Sequence, residues 1–203
     1  AYVYAGMEDF GIAPVEARVA ALRALQAPTD VGQYRSMYGL FSYYRIYVEA
    51  FERISSPISD LLKKGVVWDR HMWQPLHERA LQQLKDALFT PGLGLHRFNP
   101  ALQLVVYSDW SARGIGGVLG MVAADAALGS AVEQPVAFIS RSLNVHERNY
   151  GSYKGEMLAA VWVVKTFRPY LHGWQFSLVT DHQPLKYLMG SKVLTGQYAR
   201  WAM

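Results

Sequence analysis

Three carboxylates stand where their surroundings would let them do chemistry together. The run Val105-Val106-Tyr107-Ser108-Asp109 is rich in β-formers and ends on an acid, and Ser177-Leu178-Val179-Thr180-Asp181 ends in the same way. Between them Glu156 falls inside the apolar stripe of a helical pattern, three residues after Tyr153 and four before Ala160. A strand–helix–strand unit crosses over right-handed and makes its strands parallel by default. On that arrangement both strand-end acids emerge at one sheet edge, and Glu156, near the start of the crossover helix, faces the same place. Three converging carboxylates repel one another and raise their pKa values. A magnesium ion resolves the conflict, because it prefers oxygen ligands and shares them with phosphate. Plainer roles also fit: Asp109 as a turn residue, and Glu156 as half of a structural ion pair with a nearby Arg.

The elements that must position these acids can be read from the pattern. Residues 102–119 predict a strand, a turn and a second strand, with β-formers on both faces of the first, as in a central covered strand. The second carries Gly114, Gly116 and Gly117, and glycines inside a strand mark a place where something approaches closely. Met121 to Glu133 is expected to be a long alanine-rich hairpin loop, and Pro135 to Ser140 a third strand. Asn144 and Glu147 have capping-box spacing. A single helix is predicted over Ser152 to Leu171, with Tyr153, Met157, Ala160, Val161, Val164, Phe167 and Leu171 on its apolar side. Trp174 to Thr180 alternates like a strand, and short helices are expected over Pro184 to Leu188 and from Gln197.

The first half reads differently. Residues 1–13, with Tyr2, Val3, Tyr4 and Gly11, suggest strand and turn remnants. Pro14 is expected to open a helix through Val15, Val19, Leu22 and Leu25. Thr29 or Asp30 can cap the next, which carries Tyr34, Met37, Tyr38, Phe41, Tyr44 and Tyr47 as one aromatic stripe, read as core. Ser56-Pro57 is expected to start a helix that stops at Gly65. Pro75 starts another through Leu76, Ala80, Leu81, Leu84, Ala87 and Leu88, closed by Pro91 and Gly92. The expected class is mixed α/β in two domains, a mostly helical one over 1–95 and a strand-rich one over 96–203.

Composition narrows the functions. The chain has 203 residues and no cysteine, which excludes a disulfide scaffold and any thiolate metal site. No apolar run is long enough for a membrane span. Residues 1–95 hold ten Lys/Arg and ten Asp/Glu, whereas residues 96–203 hold ten Lys/Arg and six Asp/Glu, so the net charge of +4 lies entirely in the second part. A basic domain suits a polyanionic partner. Half of its six acids belong to the triad above.

These motifs, taken together, resemble the reverse transcriptase and ribonuclease H region of long-terminal-repeat retrotransposons of the Ty3/gypsy type. The resemblance runs over nearly the whole chain. Tyr43-Tyr44-Arg45, Phe51 and Pro57 to Lys64 resemble the segment after the polymerase palm, and Leu84-Lys85 with Ala87-Leu88 continues it. Ser108-Asp109-Trp110-Ser111 and Gly114 to Leu119 resemble the first catalytic acid and the glycine-rich strand after it. Glu147 to Tyr150, Glu156 to Ala159, Phe167 to Gly173 and Thr180-Asp181-His182 complete the series.

The resemblance implies a helical thumb or connection remnant over 1–95. It implies a ribonuclease H-like domain over 96–203, with a mixed central sheet and flanking helices. Asp109, Glu156 and Asp181 match three of the family's four metal-binding acids. The implied chemistry is endonucleolytic hydrolysis of the RNA strand of an RNA–DNA hybrid, by two Mg2+ ions (Mn2+ also fits) about 4 Å apart. Arg113, Lys154, Lys186, Lys192 and Arg200 are candidate phosphate contacts. The implied partners are the hybrid and the upstream polymerase and downstream ribonuclease H and integrase parts of one polyprotein, with no membrane. The implied setting is intracellular, in a cytoplasmic virus-like particle or the nucleus of a eukaryotic host.

The chain also departs from the pattern. Trp110 stands where the family usually has Ala, and Lys154 where it often has an acid. Gly120-Met121 leads into the alanine-rich segment where a Gln is common. The fourth acid and a last strand would lie beyond Met203, and the polymerase's paired aspartates upstream of residue 1. Activity is therefore expected to be weak or absent in this fragment, with no polymerase activity. The competing reading is a catalytically degenerate module that binds nucleic acid without cutting it, or that serves only as a structural connection.

Overall fold

The computed structural model describes residues 2–5, 11–14, 16–89, 94–123 and 134–180, with side chains from residue 19 onward. The expected helices over 184–188 and from 197, the stop at Pro91-Gly92 and residues 124–133 of the loop expected over 121–133 lie outside the described residues, while Met121 and Val122 of that expected loop belong to the strand Gly114–Val122. The chain divides into two compact units, Ala1–Arg97 with Pro135–Ile139, and Phe98–Gln134 with Ser140–Met203.

The first unit contains a three-stranded antiparallel sheet, β1 (Tyr2–Ala5), β2 (Gly11–Pro14) and β3 (Leu95–His96), in that order. Pro14 ends β2 opposite Tyr2 instead of opening a helix. β3 pairs only with Gly11 and Ile12, so the missing proline N–H sits where no ladder bond on that side is needed. Four helices follow: α1 (Glu16–Arg23), α2 (Val31–Tyr43), α3 (Phe51–Asp60) and α4 (Pro75–Phe89). Asp30 caps α2, its Oδ1 accepting the Gln33 amide at 2.9 Å, while Thr29 donates to the Gln33 side chain. The aromatic stripe is core: Tyr34, Met37, Phe41, Tyr44 and Tyr47 are buried. It is carried by α2 and a separate 3₁₀ turn, Arg45–Tyr47. The Tyr34 hydroxyl donates to the Ile58 carbonyl, and burial holds its pKa above the usual tyrosine range.

Pro57 lies inside α3, which begins six residues earlier than the proline signal suggests. Without an N–H, Pro57 leaves the Arg53 carbonyl lacking its helical donor. The Ser56 hydroxyl donates to that carbonyl at 3.2 Å and makes the interruption tolerable. On α4, Ala80, Leu81 and Leu84 are buried as expected, but Leu76 is exposed and His77 is buried in its place.

A four-stranded sheet is made of β4 (Gln103–Trp110), β5 (Gly114–Val122), β6 (Gln134–Ser142) and β7 (Phe176–Val179), in the order β6-β5-β4-β7. β4 pairs antiparallel with β5 and parallel with β7. Between β6 and β7 run α5 (Ser152–Thr166) and α6 (Arg168–Leu171). The single helix expected over 152–171 is broken at Phe167 (φ −83°, ψ 3°). Pro169, at the second position of α6, has no N–H for a continuous helix. Asn144 and Glu147 form the reciprocal cap that their spacing predicts, each accepting the other's backbone amide at 2.9 Å.

Candidate functional site

β4 is the element on which the site is built. Its residues Leu104, Val105 and Val106 are buried, as a strand with neighbours on both sides requires. β4 leads into a two-residue hairpin, Ala112-Arg113. The hairpin is closed by Ser111, whose amide and hydroxyl both reach the Gly114 carbonyl at 2.9 Å. The Arg113 carbonyl accepts the Leu143 amide at 2.9 Å, which ties the hairpin tip to the chain following β6.

Side chains alternate across a strand. Leu104, Val106, Ser108 and Trp110 therefore share one face of the sheet with their β5 partners Met121, Leu119, Gly117 and Ile115. α5 covers that face. Ile115, Leu143, Leu158 and Ala159 form a buried cluster there, with Trp110, Tyr150 and Trp162 packed against it. The approach is close at Gly117: a Cβ placed there would lie 2.5 Å from one Val163 methyl carbon and 2.7 Å from the Tyr107 carbonyl oxygen. What the strand glycine admits is thus the helix. The buried side of α5 is Gly155 to Ala160 with Val163, while Tyr153 is exposed and Val161 and Val164 are half-buried.

Asp109 is exposed, one residue before the end of β4, on the pleat opposite Trp110. Glu156 lies in the first half of α5 and is buried, with 5 % of its surface exposed. Their sequence neighbours meet. A Cβ on Gly155 would overlap Cε2 and Nε1 of Trp110 and stand 2.5 Å from its Cδ2, so the indole lies directly on the helix backbone. The Trp110 Nε1 is buried and without a hydrogen-bond partner among the described residues. β4 and β7 run parallel, with Tyr107 opposite Val179, and the Asp181 that follows β7 lies outside the described residues. Among the described residues no group of three His, Cys, Asp or Glu side chains comes together that could hold a metal.

Of the expected phosphate contacts, Arg113 is exposed at the hairpin tip. Lys154 is half-buried, its Nζ 3.9 Å from the centre of the Tyr150 ring. Lys186, Lys192 and Arg200 lie outside the described residues. The residue missed in the sequence is Gly155. A glycine in a helix interior costs about 1 kcal/mol against alanine, which is the signal that something presses on the helix there. Nearby, Arg141 forms a two-point ion pair with Glu147 at 2.7 and 2.9 Å and lies 5.4 Å from the Trp162 ring centre. The guanidinium holds the Glu147 carboxyl below its usual range.

Comparison with known proteins places this arrangement. Over 194 residues the chain is 35 % identical to the retrovirus-related Pol polyprotein from transposon 297 of Drosophila melanogaster, covering 94 % of this chain and 17 % of the polyprotein. It is 31 % identical to that from transposon gypsy of the same species, covering 91 % and 18 %. It is 25 % identical to the transposon Tf2-3 polyprotein of Schizosaccharomyces pombe, covering 97 % and 14 %. The chain thus spans less than a fifth of the length of these relatives. Its fold is similar to the foamy viral protease-reverse transcriptase bound to double-stranded DNA, with TM-score 0.70 and 18 % identity, covering 94 % of this chain and 33 % of that one. The foamy viral protease-reverse transcriptase without the dRH designation that the first structure carries, in complex with RNA/DNA hybrid, gives TM-score 0.67 at 18 % identity, covering 95 % and 26 %. Residues 99–203 match the RNase H-like domain found in reverse transcriptase, and this chain belongs to that family.

Proposed function

We propose that residues 96–203 carry the ribonuclease H site of a Ty3/gypsy-type retrotransposon Pol polyprotein, and that residues 1–95 are its thumb or connection segment. The observation that carries the reading is the parallel register of β4 and β7. Asp109 and Asp181 stand the same number of residues apart as the paired Tyr107 and Val179. Glu156 is buried on the helix packed over β4. The donor set is carboxylate oxygen throughout, in a chain without cysteine, which fits a hard divalent cation. Asp109, Glu156 and Asp181 would hold Mg2+, or Mn2+. When bound, the ions supply activation of water and stabilisation of the leaving oxygen.

The chain's own groups do the rest. Exposed Arg113, at the hairpin tip three positions past the end of β4, is placed to meet a phosphate. Lys154, Lys186, Lys192 and Arg200 are proposed as further phosphate contacts that fix register without reading sequence. The 2′-hydroxyl would distinguish the RNA strand. The proposed setting is a virus-like particle or nucleus, alongside the polymerase and integrase parts of the polyprotein. Among the described residues no helix is long and apolar enough to cross a membrane.

The test is cleavage of a labelled RNA–DNA hybrid with Mg2+, by this chain and by one extended at its C-terminus, beside Asp109→Asn in each. Cutting that Asp109→Asn abolishes supports the reading. Hybrid binding unchanged by chelator, with no cutting by either length, supports the non-cutting module instead.

A further inference from the structure

The contact between Trp110 and Gly155 joins the sequence neighbours of two acids that belong to different elements. Trp110 follows Asp109 at the end of β4, and Gly155 precedes Glu156 on α5. Adjacent Cα atoms are about 3.8 Å apart. The separation of the two acid-bearing backbones is therefore fixed within one residue on either side by how closely the indole seats on the helix. That seat admits no side chain at 155, since even a methyl carbon would overlap the ring. The indole is also held from its other sides, in the cluster of Ile115, Leu143, Leu158 and Ala159 with Tyr150 and Trp162. Its Nε1 is buried without a hydrogen-bond partner among the described residues, a cost that a purely apolar filler would not carry.

We propose that Trp110 is a positioning residue, and that its packing on Gly155 sets the spacing of Asp109 and Glu156 and so tunes divalent-cation affinity at the carboxylate site. It rests on the metal-site reading given above, and the experiment separates the two. Mn2+ binding to the full chain is measured by calorimetry for the parent, Asp109→Asn, Trp110→Ala, Gly155→Ala, the double variant Trp110→Ala/Gly155→Ala, and Val163→Ala. The last truncates a buried side chain on the same helix that packs over Gly117, away from the indole. Each protein is held well below its unfolding transition.

Groups that orient metal ligands typically change affinity about 10–100-fold when altered. Trp110→Ala and Gly155→Ala are each expected to weaken Mn2+ binding about tenfold, and Val163→Ala to leave it unchanged. Alanine is the better helix former, so a loss at Gly155→Ala does not come from helix propensity. With the ring removed the added methyl has nothing to clash with, so the double variant is expected to bind about as Trp110→Ala does, well short of the product of the two single losses.

Unchanged affinity in both single variants, with Asp109→Asn defective, overturns the positioning role and leaves the metal site standing. So does a Val163→Ala loss as large as theirs, or a double variant as weak as the product of the two single losses. No binding by the parent, or equal binding by Asp109→Asn, overturns the metal site itself. Should Trp110→Ala fail to fold, Trp110→Phe decides. A several-fold weaker Mn2+ affinity supports the role, and one within twofold of the parent overturns it.

Discussion

Gly117→Ala tests how rigidly α5 is set on the sheet. The added methyl would lie 2.5 and 2.6 Å from the two Val163 methyl carbons and 2.7 Å from the Tyr107 carbonyl oxygen. Carbon atoms prefer about 3.5–4.0 Å, so the overlap with both Val163 methyl carbons approaches 1 Å, and the carbonyl oxygen crowds the methyl from another side. Neither neighbour can recede. Val163 is fully buried, and a β-branched side chain in a helix has one strongly preferred rotamer. Tyr107 is paired on both sides, to Val118 and Val179. Overpacking typically costs about 1–3 kcal/mol, and confinement by two fixed neighbours puts this substitution near the top of that range. Val163→Ala alone should cost roughly 2 kcal/mol, for two buried methyl groups at about 0.8 kcal/mol each plus part of the cavity they leave. In the double variant the new methyl occupies the space that Val163 vacates. The combined loss should then fall short of the sum by at least about 1 kcal/mol. Urea unfolding followed by circular dichroism measures all four proteins. Additivity within about 0.5 kcal/mol, or a Gly117→Ala midpoint equal to that of the parent, refutes the close seating of α5 over β5.

Three further outcomes are expected. Asp30→Ala removes the cap on α2 and should cost about 0.5–2 kcal/mol in the same assay, with Asp30→Ser costing less. The Glu147 carboxyl is held below its usual pKa, first by its hydrogen bonds from Arg141. Its stabilising contribution is therefore full above the unfolded-state value and lost as pH falls through the folded one, so the Tm gap between parent and Glu147→Gln should narrow on acidification. His77 is lowered below 6.5 by burial, and its Nδ1 accepts the Gln74 amide at 2.9 Å, a role only the neutral ring can keep. The unfolded chain then takes up a proton that the folded chain resists. The parent should lose Tm as pH falls below about 6.5 down to the folded value, and His77→Gln should flatten that slope; an equal slope in both would remove His77 as the cause.

Much of the second unit was legible because its signals agree. β4 and β5 carry β-formers around a small-residue turn, and the structure forms them at Gln103–Trp110 and Gly114–Val122. The Asn144–Glu147 cap follows from spacing alone, since each side chain reaches the other's amide. The buried face of α5 was read less well. Ala, Val, Leu and Trp occur on every side of this helix, so apolar periodicity does not single out Val163 over Val161 or Val164. Tertiary contact with Gly117 decides it. Pro57 and Pro14 misled for a related reason. A proline is a boundary only when its missing donor goes uncompensated, and Ser56 supplies the donor in α3 while the end of β2 does not need one. Of the site, the burial of Glu156 and the parallel pairing of β4 with β7 were legible. The seat of Trp110 on Gly155 was not, because it joins residues distant in sequence whose sizes match only once the helix is docked.

The parallel pairing of β4 with β7 also orders the assembly of the domain in time. β4 finds β5 across a two-residue hairpin, a local closure that costs little chain entropy. β7 reaches β4 only after β5, β6, α5 and α6 have been threaded between them. Non-local pairings of this kind are slow, because the loop must close before its contacts reward it. Any chemistry that draws on groups from both strands is thus withheld while the domain is still folding.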